Sequence, residues 1–221
     1  MKMRNIFIVI IGISIMFGQS GYEITKTLDE KSKPKNMISK TTMVLTNSKG
    51  KTRNNVMISK TMDNSRRQLI WFLEPKDDKG VSFLKIEHDD RDDEMRIWLP
   101  AFKRVRRISA SKKGDSFMGS DLSYEDMTSR SLDENEYKRL DNETVNGREC
   151  FVIEVTPNAS LKSSYSKHKI WIVKDDLYII KEESYDKRDK LKKEKSLSLI
   201  HISEPTRRYA ISYAGVCLKK K

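Results

Sequence analysis

The chain of 221 residues contains only two cysteines and three histidines, and this scarcity excludes several kinds of site. Cys217 lies in a C-terminal segment of unusual sequence, so Cys150 stands alone and no disulfide is predicted. In its strand-like context, Cys150 is expected to be a small buried apolar residue rather than a nucleophile. His88 and His168 have no cysteine, histidine or paired carboxylate at ligand spacing, so no metal site is predicted.

Motifs of catalysis are also missing. The sequence has no glycine-rich phosphate loop and no nucleophile elbow that would mark a serine hydrolase. The acidic run DDRDDE, Asp89 to Glu94, lacks the glycine and the spaced terminal acid of a calcium loop, so it is predicted to be a hairpin turn. We therefore predict a protein that is not an enzyme and needs no cofactor.

Long hydrophobic runs are confined to the N-terminus. Lys2 and Arg4 precede the apolar stretch Ile6 to Phe17, which has a length of about a dozen residues, within the ~7–15 of a secretory signal and short of the ~20 of a spanning helix. Small residues follow at 18–20. The pattern predicts a signal peptide over 1–20 and a mature chain that begins near Gly21, outside the cytoplasm; a retained membrane anchor is the alternative.

The C-terminal segment 197–221 differs in character from the rest. Its first part, LSLIHISEPTR, resembles the translation of a transposase-type sequencing adapter. We interpret 197–221 as an adapter-derived artefact, with the natural gene cut near Ser196; a real polar tail with a basic end is the alternative. Without both ends, the formal charge falls from +12 to +6, with 37 basic and 31 acidic residues. This mildly basic surface does not predict nucleic-acid binding.

The part over 21–196 is long enough for one domain with a core, and its pattern is mostly strand. The turn sequences NSKG and Asn146-Gly147 separate successive strands by short connections, which predicts an antiparallel meander. Strands are predicted over Met37–Asn47, Lys51–Met62, Arg67–Leu73, Val81–His88, Glu94–Leu99, Phe102–Ile108, Tyr137–Leu140, Arg148–Thr156, Lys169–Lys174, Leu177–Tyr185 and from Leu191.

Helices are predicted at two places. Ile24 and Leu28 lie four residues apart in an amphipathic stretch over Tyr22–Lys33 that ends before Pro34. Ser123 and Asp126 have the spacing of a capping box, which predicts a short helix around Tyr124–Ser129.

Several strands are apolar on both faces, as in RQLIWFL and KIWIV. A sheet with one face in water alternates apolar and polar residues, so these strands need cover on both sides. The cover could be helices, a second sheet, a dimer or a lipid.

The stretch WLPAFKRVRRISASKKGDSFMGSDLSYEDM, Trp98 to Met127, resembles the signature of LolA-like outer-membrane lipoprotein-sorting proteins. The resemblance covers roughly Gly21 to Ser196. It implies an α+β fold, mostly antiparallel β, in which an open β half-barrel wraps a few helices. It also implies that the concave apolar face takes acyl chains of lipids or lipoproteins. Because such proteins continue beyond Ser196, the domain is expected to be truncated at its C-terminus.

Three groups of residues are candidates on this basis, for lipid binding, for headgroup or partner contact and for the loop and helix cap, and two members of the first group have a further possible role. Phe117 and Met118 could form a lid that moves when an acyl chain enters, or could simply cap the core. The residues predicted to bind lipid are Met57, Trp71, Phe72, Met95, Trp98, Phe117, Met118 and Trp171. The cations that could contact headgroups or an acidic partner, or form a solvated edge beside Asp89 to Asp93, are Lys103, Arg104, Arg106 and Arg107. The loop and helix-cap motif comprises Gly119, Ser120, Asp121, Ser123, Tyr124, Glu125 and Asp126.

The function predicted from these features is a periplasmic carrier of lipid or lipoprotein acyl chains. Its partner would be a membrane protein, either in lipoprotein sorting or beside an efflux-type transporter. The alternative is a non-enzymatic envelope module whose apolar face is covered by a protein partner.

Overall fold

The computed structural model describes residues 19–31, 35–46, 49–198, 211–212 and 215–219, with side chains over the first three ranges up to 196. Most of the predicted signal peptide, and most of the segment 197–221, therefore lie outside the described residues. The predicted boundary at Ser196 falls inside a strand, Leu191–Ser198.

One α-helix and thirteen strands form the described part of the chain. Helix α1 is Gly21–Glu30. The strands are β1 Met37–Thr46, β2 Thr52–Met62, β3 Arg67–Glu74, β4 Ser82–Ile86, β5 Glu94–Leu99, β6 Arg104–Ile108, β7 Asn135–Val145, β8 Arg148–Pro157, β9 Lys167–Val173, β10 Ile179–Tyr185, β11 Leu191–Ser198, β12 Ile211–Ser212 and β13 Gly215–Lys219.

The strands form two sheets. The first sheet has the order β12-β1-β2-β3-β4-β5-β6, and the second has the order β13-β11-β10-β9-β8-β7. All pairs are antiparallel except β12 with β1. Strands β6 and β7 are the outermost strands of their sheets, and residues 109–134, which we call the linking segment, run from one to the other. Two unclosed antiparallel sheets with a helix confirm the predicted α+β half-barrel.

Helix α1 begins at a capping box that the sequence interpretation did not use. Ser20 accepts a hydrogen bond from the Glu23 amide, and Glu23 accepts one from the Ser20 amide. The helix ends at Glu30, three residues before the predicted end, because Lys31 has left the helical backbone. Its apolar stripe packs on the second sheet, where the buried cluster comprises Ile24, Ile153, Val155, Ile170 and Ile172.

The largest difference from prediction is at β7. Only Tyr137–Leu140 was predicted, yet the strand runs over Asn135–Val145. Its second half, LDNETV, lacks an apolar alternation because β7 is an edge strand whose outer residues face water. The strand is held there by its pairing with β8, which the sequence of β7 alone does not show.

Among the described residues, no helix combines the length and the apolar character that crossing a membrane requires.

Candidate functional site

The first sheet has one buried face, which the linking segment covers and which is mostly apolar, although Ser59, Thr61 and Lys85 are also buried on it. We call it the inner face of the first sheet. Its buried side chains come from alternate positions of β1 to β6, as strand geometry requires. The cluster comprises Met43, Met57, Ile70, Phe72, Val81, Phe83, Met95, Ile97 and Ile108, and Phe117 of the linking segment completes it.

Phe117 is the centre of this cluster, with only 1% of its surface exposed. Its ring lies 5.1 Å from Phe83, 5.7 Å from Tyr124 and 6.1 Å from Phe72, measured between centroids. The contacts with Phe83 and Tyr124 are edge-to-face, a favourable arrangement of aromatic rings. A side chain from a connecting segment therefore fills the place where the half-barrel would otherwise have an apolar hollow.

The turn that presents Phe117 is tight. Met118 and Gly119 have φ of 51° and 72°, and the Ser120 amide donates to the Phe117 carbonyl at 3.0 Å. Positive φ at both central positions is typical of a type I′ turn, in which glycine is favoured. Ser116 pairs with Ser123 across the turn. We call Ser116–Ser123 the plug turn.

Next to the plug turn, the segment is fixed to the second sheet. Ser123 and Asp126 form the predicted capping box of a single 3-10 turn, Tyr124–Met127, shorter than the predicted helix. Glu125 accepts hydrogen bonds from the Ser163 hydroxyl at 2.5 Å and the Ser164 amide at 2.8 Å. One short segment thus contributes an aromatic ring to one sheet and carboxylates to the other.

Asp126 is the most buried of these acids, with 1% of its side chain exposed. It accepts hydrogen bonds from Tyr165 and from the ammonium of Lys193, which is itself fully buried. Burial acts to raise the pKa of Asp126, but Lys195 and Lys193 outweigh it, so the pKa lies below its usual range. Burial lowers the pKa of Lys193 to about 8 despite Asp126. Burial also raises the pKa of Tyr165.

A second buried group of charges adjoins the first. Glu182 on β10 receives a hydrogen bond from Arg130 and lies 3.2 Å from Nδ1 of His168. Burial opposes the ionisation of Glu182, but Arg130 and Lys195 hold its pKa well below the usual value. Burial lowers the pKa of His168, with Glu182 acting in the opposite direction. The imidazole therefore favours its neutral form.

These charges lie on the same face of the second sheet as helix α1, because His168 is two and four residues from Ile170 and Ile172. We call it the inner face of the second sheet, and we call Asp126, Arg130, Tyr165, His168, Glu182 and Lys193 the polar cluster. A cleft of about 370 Å³ opens beside it, lined in part by Asp93, Arg130, Ser163, Tyr165 and His168.

Five of the eight residues predicted to bind lipid come together. Met57, Phe72, Met95 and Phe117 are in the apolar cluster of the first sheet, and Met118 packs against it. The three tryptophans lie elsewhere. Trp71 is half-buried with Lys60 above its ring, Trp98 is 37% exposed, and Trp171 is buried on the second sheet with Cys150.

The predicted cations lie on or beside the edge strand β6. Lys103 is in the turn before it, and Arg104, Arg106 and Arg107 are exposed along it. Arg106 lies opposite Ile97 of the apolar cluster across the β5–β6 pair, and Arg104 lies opposite Leu99.

The sequence interpretation missed most of the polar cluster. It treated His168 as isolated, and it named Asp126 only as a helix cap. A signal was present: His168, Glu182 and Ser184 interrupt otherwise apolar inward positions of β9 and β10. Polar residues at such positions need partners, and buried charges need opposite charges.

Within the described ranges, no group of three or more histidine, cysteine, aspartate or glutamate residues could hold a metal ion. Burial raises the pKa of the Cys150 thiol, which is an unreactive environment for a thiolate.

The chain is similar to proteins of known structure. A family model described as "-like: Uncharacterized protein" matches residues 64–208, a range that extends past the predicted boundary at Ser196. An outer membrane lipoprotein-sorting protein domain from Vibrio parahaemolyticus shares 29% identity and a TM-score of 0.76, covering 86% of this chain and 80% of that one. A DUF1329 family protein from Desulfovibrio piger shares 32% identity and a TM-score of 0.72, covering 81% and 79%.

A LolA superfamily protein from Nitrosomonas europaea shares the fold, with a TM-score of 0.60 at 14% identity over 88% of this chain and 83% of that one. No curated protein matches the sequence.

Proposed function

The chain belongs to the LolA-like family, which includes outer-membrane lipoprotein-sorting proteins, and on this premise we propose that it is a carrier of acyl chains. The acyl chain would bind on the inner face of the first sheet. Phe117 would be displaced from that face when the chain enters and would return when it leaves.

The observation that carries this proposal is the position of Phe117. An apolar face formed by strands is expected to be closed by residues of neighbouring strands, whereas here a turn supplies the central ring. The lining residues Met57 and Met95 are flexible thioethers, which adapt to ligands of variable shape. Each CH₂ group of an acyl chain that leaves water contributes about 0.8 kcal/mol, so a few carbons compensate for displacing one ring.

The surrounding anchors suit a moving plug. Glu125 and Asp126 hold one end of the segment to the second sheet through charged hydrogen bonds, which are stronger than neutral ones. The plug turn has bonds among its own residues, such as the Ser120 hydroxyl to the Phe117 carbonyl at 2.6 Å, and its last residue, Ser123, bonds to Asp126 and Tyr165. The part of the turn before Ser123 could therefore swing while Ser123, Glu125 and Asp126 stay in place.

The proposed compartment is the periplasm. The N-terminal signal pattern and the similarity to a lipoprotein-sorting domain support it. A carrier must also deliver its cargo, so the proposal includes a membrane protein partner that accepts the acyl chain. That partner could belong to lipoprotein sorting or to an efflux-type transporter.

The first experiment is mass spectrometry of organic extracts from the protein, purified from periplasm without detergent. We expect phospholipid or acylated peptide at a stoichiometry near one per protein. A folded protein whose extract contains no lipid, and which takes up none from vesicles, would contradict the carrier and favour an envelope module covered by a partner.

A second experiment tests the plug itself. Phe117→Ala should lower the free energy of unfolding by about 3–5 kcal/mol because it leaves a cavity. If an acyl chain occupies the same place, added lipid should stabilise this variant more than it stabilises the unchanged protein. Ile153→Ala, which opens a cavity under helix α1, is the matched control and should show no extra stabilisation by lipid. Equal stabilisation of both variants would place the acyl chain elsewhere.

A further inference from the structure

The β5–β6 hairpin exposes an apolar surface that the plug and its cluster do not use. Phe102 is 73% exposed, Val105 is 57% exposed and Trp98 is 37% exposed. Trp98 and Val105 are direct cross-strand partners, so they share one face. Phe102 ends the 3-10 turn Pro100–Phe102 at the tip of the same hairpin. We call these three side chains, with the cations beside them, the hairpin patch.

Among the residues with described side chains, the cations of the hairpin patch have no acidic partner in a salt bridge. Lys103, Arg104, Arg106 and Arg107 form no salt bridge with any residue in the part of the chain that has described side chains. The neighbouring Arg96 differs, because it pairs with Glu94 at 2.9 Å. Side chains alternate along β6, so Arg107 lies on the face of Val105 and Trp98, whereas Arg104 and Arg106 lie on the opposite face of this edge strand.

We propose that the hairpin patch docks on the surface of a lipid bilayer that carries anionic headgroups. Aromatic rings are favoured at the boundary between headgroups and acyl chains, where one side of the ring is apolar and the other wet. Guanidinium groups bind phosphate oxygens through paired hydrogen bonds. Unpaired cations that surround exposed aromatic and aliphatic groups match both parts of such a surface.

A protein strand added to the β6 edge is the competing occupant. Such a partner would bond the backbone of β6 and would leave Phe102 and Trp98, which are at the tip and on β5, outside the pairing. A bilayer that meets the sheet at this edge can contact the three apolar groups and the cations on both faces of β6, so the exposed set favours the bilayer.

This inference deepens the proposed function. Docking itself does not depend on the carrier role, but its purpose does, since the docked protein would collect or deliver an acyl chain. Binding to a bilayer can be measured without any cargo. The two ideas can therefore fail separately.

The test is co-sedimentation of the full chain with vesicles of phosphatidylcholine alone and with added phosphatidylglycerol. We expect binding only to the anionic vesicles, with an affinity that falls as salt is added. Each cation near an anionic surface contributes roughly a fivefold factor. Arg104→Gln with Arg106→Gln should therefore weaken binding by about an order of magnitude or more, and Phe102→Ser with Val105→Ser should weaken it at every salt concentration.

Two matched control variants show whether a loss of binding is specific to the hairpin patch. Lys76→Gln with Lys79→Gln removes the same charge from an exposed turn of the first sheet, and Val44→Ser with Met62→Ser removes two exposed apolar side chains from β1 and β2. Both should bind as the unchanged protein does. Absence of binding to anionic vesicles would overturn the proposal, as would equal loss in the matched variants. Bound lipid in purified protein without vesicle binding would leave the carrier intact and remove the docking surface.

Discussion

The inner faces of the two sheets differ in chemistry although one segment serves both. On the first sheet, the linking segment inserts Phe117 among methionine and phenylalanine side chains. On the second sheet, it inserts Asp126 and Arg130 among Tyr165, Glu182 and other charged or polar groups. Dispersion contacts on the first sheet have no direction, whereas the charged hydrogen bonds on the second need fixed geometry. In the proposed function, this difference lets one end of the segment anchor it while the other end is exchanged for an acyl chain.

Removing the carboxylate of Asp126, which anchors the linking segment to the second sheet, should have the largest effect on the free energy of unfolding. Asp126→Asn leaves the fully buried Lys193 beside a neutral partner, which costs about 3–5 kcal/mol in the free energy of unfolding. Urea unfolding measures it. Combining Asp126→Asn with Lys193→Met removes the buried charge as well and should recover much of the loss. No recovery in the double variant would mean that the pair is not what anchors the segment.

Removing the charge of Glu125, the second residue that anchors the linking segment, should lower the free energy of unfolding by less. Glu125→Gln weakens charged hydrogen bonds from Ser163 and Ser164 and should cost about 1.5–3 kcal/mol in unfolding free energy. Glu136→Gln on the exposed edge strand β7 is the control and should change little. If the two variants were equally stable in urea, Glu125 would not hold the segment.

A substitution at Gly119 should change stability through the backbone conformation of the plug turn alone. Gly119 has φ of 72° and no atom within 4 Å of where a Cβ would stand, so Gly119→Ala adds strain without a clash. We expect a loss of about 1 kcal/mol, measured by thermal unfolding. Gly119→Asn should lose less because asparagine tolerates this conformation. Equal losses from alanine and asparagine would contradict a left-handed backbone at this position.

The polar cluster should make stability depend on pH. Burial lowers the pKa of His168 below 6.5, Arg130 and Lys195 lower it further, and Glu182 acts in the opposite direction. The unfolded chain therefore binds a proton more readily, and this contribution to stability is complete above pH 6.5 and is lost as pH falls through the folded-state pKa.

Urea midpoints measured as the pH is lowered from neutral should fall, and His168→Gln should flatten that decline. The acids Asp126 and Glu182 titrate at lower pH, so they do not account for this window. An unchanged pH profile in His168→Gln would exclude the imidazole as its source.

Local signals in the sequence predicted much of the fold. Asn146 and Gly147 have positive φ, as a two-residue hairpin turn requires, and β5 has the predicted bounds Glu94–Leu99. The spacing of Ser123 and Asp126 predicted the capping box that forms. These features depend on residues a few positions apart, and local propensity is sufficient for them.

The candidate site was predicted only in part. Met57, Phe72, Met95 and Phe117 meet as their apolar character suggested, whereas Trp71, Trp98 and Trp171 lie outside their cluster. Apolar character shows that a side chain needs cover. It does not show which face of a two-faced strand provides it.

The sequence by itself determined the strand content, the turns and the compact motif around Phe117, because these follow from alternation, backbone freedom and capping over short distances. Only the tertiary structure decided that Asp126 meets Lys193, which is 67 residues away. It also decided that the polar cluster forms on the inner face of the second sheet, beside the apolar contacts of helix α1. The physical reason is that alternation assigns residues to two sides of a strand, while sheet pairing and burial decide which side encloses the core.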